Sequence, residues 1–584
     1  MNSAHAKCDS ETLQVVHTGD GFDLWLDRIL IARHSPRAAM ISAEIGTAMT
    51  ALAAVEYARD CLIFRVDPWQ EPVLMLQVSG TDLVVVRSAV GLGRVRIALY
   101  AEPGETVWGI GTDGHSTTSH PVFVTSRDLA VHVATSADCR FEIGQDGMRV
   151  IEAGAPPDRI ELFADCDIAG LTRQLAERFG RHQLLPDWLM SGAVIGLRDG
   201  AHNFTRLNTL LDAGVNVAAL VCEDWAGLRH TEEGGELFWD WRWNAARHPD
   251  LPKRIAALAR QGIRVLGTAN PCLCTDGSLY AQAESLGHLL RLTNGDTCRA
   301  DLGGFQAGIV DFSKPAAATW FAESVLHREM LELGMDGWVS EPGAALPPNA
   351  SPAQGDALRM KADWQNTWAQ VNAEALAEVP DAAFIMRPAP AKAMPSDAIA
   401  VEVHRMLASA LLGAGCQHGE ISFDPPELFE RRVELAAFSP VMRAVACNAL
   451  SDADPLVLAH FARFSAIHRR LLPLLSRLSE SAADGDLAMI RPLFLHFADD
   501  PATHLVEDQF LLGADLMVAP VLHATATSRS VYLPAGCDWA HLWTGERFPG
   551  GQRLTVSAPV GEPPVFWRAT SDDAALFAGL AASN

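Results

Sequence analysis

From residue 12 to about 170, short apolar runs alternate with turn residues. Examples are D-L-W-L-D-R-I-L-I-A (23–32), C-L-I-F-R-V (61–66), V-L-M-L-Q-V-S-G (73–80) and L-V-V-V-R (83–87). Alternation with period two, punctuated by Gly and Asp, predicts antiparallel strands and a β-sandwich. Near Asp167 the period changes. I-A-G-L-T-R-Q-L-A-E-R-F-G-R (168–181) has apolar residues at helical spacing, and Pro186-Asp187-Trp188 then opens a new domain.

Beyond that point strand-like and helix-like segments take turns. G-A-V-I-G-L (192–197), V-A-A-L-V-C (217–222), I-R-V-L-G-T-A (263–269) and A-A-F-I-M-R (382–387) are short and apolar. F-T-R-L-N-T-L-L-D-A-G (204–214) and L-P-K-R-I-A-A-L-A-R-Q-G (251–262) are amphipathic and end on glycine, as a helix C-cap does. Repeated β-then-α order implies a parallel sheet. With no G-x-G-x-x-G after a strand, a (β/α)8 barrel is favoured over a doubly wound sheet. After a last long helix near 455–480 the turn-rich β pattern returns. The expected fold is α/β: a (β/α)8 TIM barrel (185–482, with a small insert near 228–245) flanked by an N-terminal β-sandwich (1–184) and a C-terminal β-domain (483–584).

Composition narrows the function. The 584 residues are 49% hydrophobic and 20% charged, which is globular rather than disordered, and the net charge is -25. Phosphate binding needs a basic face, so nucleic acid is not an expected partner, and neither is an anionic membrane. No basic, then apolar, leader opens the chain, and no apolar run reaches the roughly 18 residues of a membrane span. Eleven scattered cysteines do not form a disulfide framework, so a cytoplasmic location is expected. Cys272 and Cys274 read as buried thiols rather than as metal ligands. No phosphate loop, H-E-x-x-H helix or G-x-S-x-G elbow is present, and G-I-G-T-D-G (109–114), with no helix after it, reads as a turn.

The C-terminal part carries long, specific motifs. R-P-L-F-L-H-F-A-D-D (491–500) and D-Q-F-L-L-G-A-D-L-M-V-A-P-V (508–521) are followed by V-Y-L-P-A-G, W-T-G-E and P-P-V-F-W-R, which ends at Arg568. This series resembles glycoside hydrolase family 31, nearest its sulfoquinovosidase branch, across roughly residues 186–568. The resemblance implies a sandwich–barrel–β-domain order, a carbohydrate or glycoside ligand, no metal or organic cofactor, and self-association into a homo-oligomer.

The residues of the expected active site depart from the family pattern. Where the family carries its nucleophilic aspartate in G-W-M-A-D-F-G-E, this chain has G-W-V-S-E-P-G-A (337–344), which puts Glu341 at that position. Glutamate serves as nucleophile in other glycosidases. The side chain is one methylene longer than aspartate, however, and errors near 1 Å can cost on the order of 10²-fold. The family's F-F-M-R-A-G strand and its W-A-G-D loop, which holds the acid/base, become F-I-M-R followed by P-A-P-A-K-A-M-P-S. The acid/base stretch is thus absent, and Asp397 stands at the start of the next helix as a surrogate acid or simply as a dipole-favoured residue.

H-S-D-I-G-G becomes H-G-E-I-S-F, placing Glu420 for aspartate as a second surrogate acid. The sulfonate readers' tyrosine falls on Asp424, and Val445 replaces a sugar-contacting histidine. Arg387, His418 and Arg443 persist.

After V-A-A-L-V-C come Glu223, Asp224 and Trp225, where the branch has Q-D-W. Asp224 is read either as a ligand to a sugar hydroxyl or as a helix cap, and Trp225 as a pocket wall. In E-L-F-W-D-W-R-W-N the position of the sulfonate-reading arginine holds Glu236, which would repel a sulfonate. Trp239, Trp241 and Trp243 alternate as a stacking wall or as packing of the insert.

Three functions follow. The first is a weak or inactive carbohydrate-binding homologue, the second an active α-glycosidase with relocated carboxylates, and the third a non-catalytic assembly partner.

Overall fold

The computed structural model describes residues 12–19, 21–35, 39–66, 72–88, 92–100, 105–110, 121–135, 139–143, 148–180, 183–231, 234–302, 304–347, 349–354, 357–387, 398–413, 418–422 and 428–581. It forms two compact units, residues 1–174 and 175–584. The C-terminal β-domain therefore belongs to the same unit as the barrel.

The first unit is antiparallel throughout its described strands. A three-stranded meander (Leu13–Thr18, Gly21–Leu26, Ile29–His34) accompanies a twelve-stranded sheet that runs from Val107–Ile110 at one edge to Cys139–Ile143 at the other. Residues of both sheets meet in one core that includes Leu24, Ile31, Phe64, Leu76, Ile97, Phe123 and Val131. The inward members of the period-two pattern supply it, as the sequence requires. Asp27 and Asp60 take left-handed backbone at hairpin turns (φ 49° and 60°), which acidic and amide side chains tolerate better than most.

In the second unit seven described parallel strands form the barrel wall: β1 (Ala193–Leu197), β2 (Val217–Cys222), β3 (Arg264–Ala269), β4 (Gly337–Ser340), β5 (Ala383–Met386), β6 (His418–Ser422) and β7 (Val441–Val445). Their order is β5-β4-β3-β2-β1-β7-β6. The curled sheet and its crossover helices are a TIM barrel. β5 and β6 are the two edges of the described sheet, and residues 388–397 and 414–417, which lie between them in sequence, are outside the described residues.

These strands are buried on both faces, which is why they read as continuous apolar runs rather than as alternation. Gly337 opens β4 at φ 137°, and a Cβ there would stand 1.8 Å from the Ala383 carbonyl oxygen. Glycine is what lets β4 lie against β5.

The helices that matter below are α1 (Asn203–Asp212), α2 (Ala357–Leu376), α3 (Ala398–Leu411), α4 (Phe429–Ala437) and α5 (Pro455–Arg470). The C-terminal β-domain has a six-stranded sheet around Leu511, Met517, Trp539 and Phe566. It is tied to α4 by Arg431, whose guanidinium donates to the carbonyls of Ala526, Ala558 and Pro559. No described helix is long and apolar enough to cross a membrane.

Candidate active site

The C-terminal ends of barrel strands converge on one mouth, the usual seat of chemistry in this architecture. Arg198 follows β1, Glu223 follows β2, Glu341 follows β4 and Arg387 follows β5; Glu420 and Arg443 face one another across β6 and β7. Together they form an alternating charge cluster. Arg387 Nη1 donates to Glu341 Oε1 at 3.0 Å, and its Nε stands 3.9 Å from Glu420 Oε1. Arg443 Nη1 also donates to Glu420 Oε1. Glu223 Oε2 faces Arg198 Nη2 at 3.1 Å, while its Oε1 accepts the Ala446 N–H at 3.2 Å.

Burial lowers the Arg387 pKa, but Glu420, Glu341 and Glu223 outweigh it and raise the pKa above the ordinary arginine value. Three carboxylates and three guanidiniums leave the cluster formally neutral.

Each member's backbone is fixed by the barrel. Glu341 N–H donates to Ala269 O at 2.9 Å and Arg387 N–H to Ser340 O at 2.8 Å. The Glu341 carbonyl accepts from Trp368 Nε1 on α2 at 3.1 Å. The Glu420 N–H donates to Glu402 on α3. Glu402 is buried, and desolvation pushes its pKa up to about 7 against the opposing pull of Arg405.

Asp224 and Trp225 stand apart from this cluster. Asp224 is wholly buried. Its Oδ2 accepts from Arg247 Nε at 2.6 Å and from Gly200 N–H at 2.9 Å; its Oδ1 meets His248 Nε2 at 3.0 Å and Asn203 Nδ2 at 3.2 Å. Burial alone would raise its pKa, but His248, Arg247 and the Gly200 N–H bring it down to about 2. Asp224 thus ties down the start of α1, the helix that precedes its strand, rather than capping the helix that follows. Trp225 is a core residue whose indole donates to Thr268 O at 2.9 Å.

Cys222, Asp224 and His248 lie within 4.8 Å of one another, the spacing that a metal ion would need. Cys222 Sγ, however, is 3.6 Å from His248 Nδ1 and 3.7 Å from Nε2. Desolvation holds the Cys222 thiol well above its ordinary pKa, away from the thiolate that a metal takes, and the Asp224 oxygens and His248 Nε2 are already engaged in hydrogen bonds. The donor set does not fit an ion, and the cluster is a packed polar network.

Cys272 and Cys274 are buried thiols, each pushed up to about 12 by desolvation.

Glu236 lies in the predicted insert, on a hairpin made of Leu228–Thr231 and Gly234–Leu237, where it pairs across strands with Arg229. Arg229 is itself bonded to Asp276. Of the three tryptophans, Trp241 is buried and donates to Cys272 O, and Trp243 donates to His248 O. Trp239, half-buried, stacks on Trp241 and meets Phe305 edge-on at 5.3 Å. Two of the three therefore pack the insert.

Asp397, Asp424 and the His418 side chain fall outside the described residues. Sequence reasoning had not singled out Arg198, Glu402 or Trp368. A charged residue directly after an apolar strand was the signal available for Arg198; Glu402 and Trp368 act from helices, and helical spacing gives no hint of which strand they reach.

With this geometry in view, comparison with known proteins is informative. Residues 212–384 match the model of the glycosyl hydrolases family 31 TIM-barrel domain, and residues 486–571 match that of the glycosyl hydrolase family 31 C-terminal domain. The chain is a member of glycoside hydrolase family 31. It is 36% identical to a sulfoquinovosidase of Agrobacterium fabrum over 96% of this chain and 99% of that one. It is 33% identical to a sulfoquinovosidase of Escherichia coli over 79% of this chain and 72% of that one. A solved family 31 sulfoquinovosidase from E. rectale, in complex with an aza-sugar inhibitor, superposes with a TM-score of 0.84 at 26% identity, covering 97% and 99% of the two chains.

Proposed function

We propose that this family 31 protein binds a neutral saccharide at the barrel mouth and turns it over weakly or not at all. The observation that carries the proposal is the charge cluster. Retaining hydrolysis needs one carboxylate as nucleophile and a second carboxyl that keeps a proton to give to the leaving group. Each described carboxylate at the mouth is engaged with a guanidinium: Glu223 with Arg198, Glu341 with Arg387 and Glu420 with Arg443. Glu341 stands where the family resemblance puts the nucleophile, and the described carboxylates near it are held in ion pairs, which supports the loss of a proton donor. The ligand class follows from the same charges. The cluster is balanced, and Glu236, at the position the family resemblance assigns to the sulfonate-reading arginine, disfavours the sulfoquinovosides that give the relatives their names.

A second reading, an active α-glycosidase with relocated carboxylates, rests on Arg387. This one guanidinium touches Glu341 and lies within 4 Å of Glu420, so two carboxylates share one site, as in working glycosidases. The relatives' names, which are those of enzymes, favour it too.

Paired substrates separate the two. Nitrophenolate leaves a nitrophenyl α-glycoside without being protonated, whereas the aglycone oxygen of the methyl α-glycoside of the same sugar must take a proton to leave as methanol. The first reading expects calorimetric binding of the sugar and no hydrolysis of methyl glycosides. Methyl glycoside hydrolysis that disappears in Glu341→Gln would establish the second.

A further inference from the structure

The geometry points to Trp368 as a positioning residue for Glu341: its indole N–H fixes the Glu341 carbonyl and thereby the direction in which the carboxylate enters the mouth. The inference rests on the reading of Glu341 as the ligand-facing carboxylate. Glu341 is the first residue past β4, where ladder bonding stops. Its N–H is satisfied by Ala269 O, but its carbonyl has left the strand pairing of β4 and accepts from Trp368 Nε1 at 3.1 Å. Pro342 follows, has no N–H to give, and confines Glu341 to extended backbone. The orientation of the 341–342 peptide plane is then set by whatever holds the Glu341 oxygen.

Trp368 is built to hold it rigidly. The ring is 1% exposed, lies parallel to Phe312 (5.5 Å, 3°) and is met edge-on by Phe321 (5.5 Å, 84°). Four residues on, Asn372 donates to the Trp368 carbonyl and accepts from Trp338 Nε1 of β4. α2 therefore grips β4 twice, once through Trp338 and once at Glu341 itself. An aromatic ring needed only for packing would not have to aim its single donor at the residue that carries the candidate nucleophile.

The test compares Trp368→Phe, which keeps a ring and removes the donor, with Phe312→Leu, which removes the stacking partner and leaves the donor. Both variants will lose some thermal stability. The probe is a cationic iminosugar, whose ammonium pairs with the mouth carboxylates, titrated calorimetrically, with Glu341→Gln as reference. Trp368→Phe is expected to weaken binding about tenfold, and Phe312→Leu to leave it within about twofold. Native-like affinity in Trp368→Phe alongside weakened Glu341→Gln would overturn the inference. If even the native protein does not bind the probe, the reading of the mouth fails. A crystal structure of Trp368→Phe then decides the inference separately: a Glu341–Arg387 pair unchanged from 3.0 Å refutes it, and a broken or reoriented pair supports it.

Discussion

Glu341 and Arg387, each the first residue past one of two adjacent barrel strands, are joined by a 3.0 Å ion pair, and Glu420 Oε1 stands 3.9 Å from the same guanidinium. Replacing Arg387 by methionine leaves these carboxylates facing each other without their shared cation. Arg387 is 38% exposed, so solvent screens much of the loss. A destabilisation of about 1 kcal/mol is expected, together with loss of saccharide binding. Thermal melting and calorimetry on the one variant measure both.

Glu236 is expected to exclude anionic glycosides. A sulfonated glycoside should show no saturable calorimetric signal at micromolar concentration with the native protein. Glu236→Arg, which reverses the charge on a half-exposed hairpin, should make binding detectable without altering the melting temperature by more than a degree or two. Micromolar binding by the native protein would contradict the charge argument.

The buried pair Arg431–Glu434 joins the barrel to the C-terminal β-domain. Its members are 1% and 2% exposed and 2.8 Å apart, and Glu434 also accepts the Gly561 N–H. Removing one partner strands the other without solvent, at a cost of about 3–5 kcal/mol. Arg431→Met should therefore unfold at markedly lower urea concentration than the native protein, and Arg431→Met with Glu434→Leu should recover part of the loss.

Asp224→Ala should behave as a core defect rather than as a binding defect. Four donors lose their acceptor at once, and Arg247 and His248 are left beside a cavity. A loss of about 3–5 kcal/mol follows. A stable Asp224→Ala protein with abolished saccharide binding would instead place Asp224 in contact with ligand.

His468, fully buried on α5, has its pKa lowered to about 4 by desolvation, against a bond to the Ala437 carbonyl. Above about pH 6.5 neither the folded nor the unfolded chain protonates it. Between about 6.5 and 4 the unfolded chain takes up a proton that the folded one refuses, so stability falls on acidification, by at most about 3 kcal/mol. Glu402 acts in the opposite sense: with a carboxyl pKa near 7 it is protonated early in the folded state and favours folding as pH drops from about 7 toward 4. Native and His468→Gln melting curves from pH 8 to 4.5 separate the two, and the variant should lose the smaller share of its stability.

Much of the architecture was legible in the chain. The alternation around Leu24 and Leu76 and the unbroken apolar runs of β1 and β2 reflect burial on one face or on two, and each leaves its period in the sequence. The C-terminal motifs likewise marked the family. Asp224 shows the limit. A strand-end aspartate beside a tryptophan suits a pocket as well as a core, and the choice depended on Arg247 and His248, more than twenty residues away. Trp239, Trp241 and Trp243 were equally ambiguous, because alternate positions on an insert do not reveal which rings are covered by Cys272 and His248.

By itself the sequence determined the elements, their β-then-α order and the substitution of glutamate at 223, 341 and 420, since these depend on local propensity, periodicity and residue identity. The tertiary structure decided that those glutamates meet three arginines at one mouth and that Trp368 reaches Glu341. Electrostatic pairing and hydrogen bonding depend on distances of a few ångströms, and strand closure, not chain separation, sets those distances.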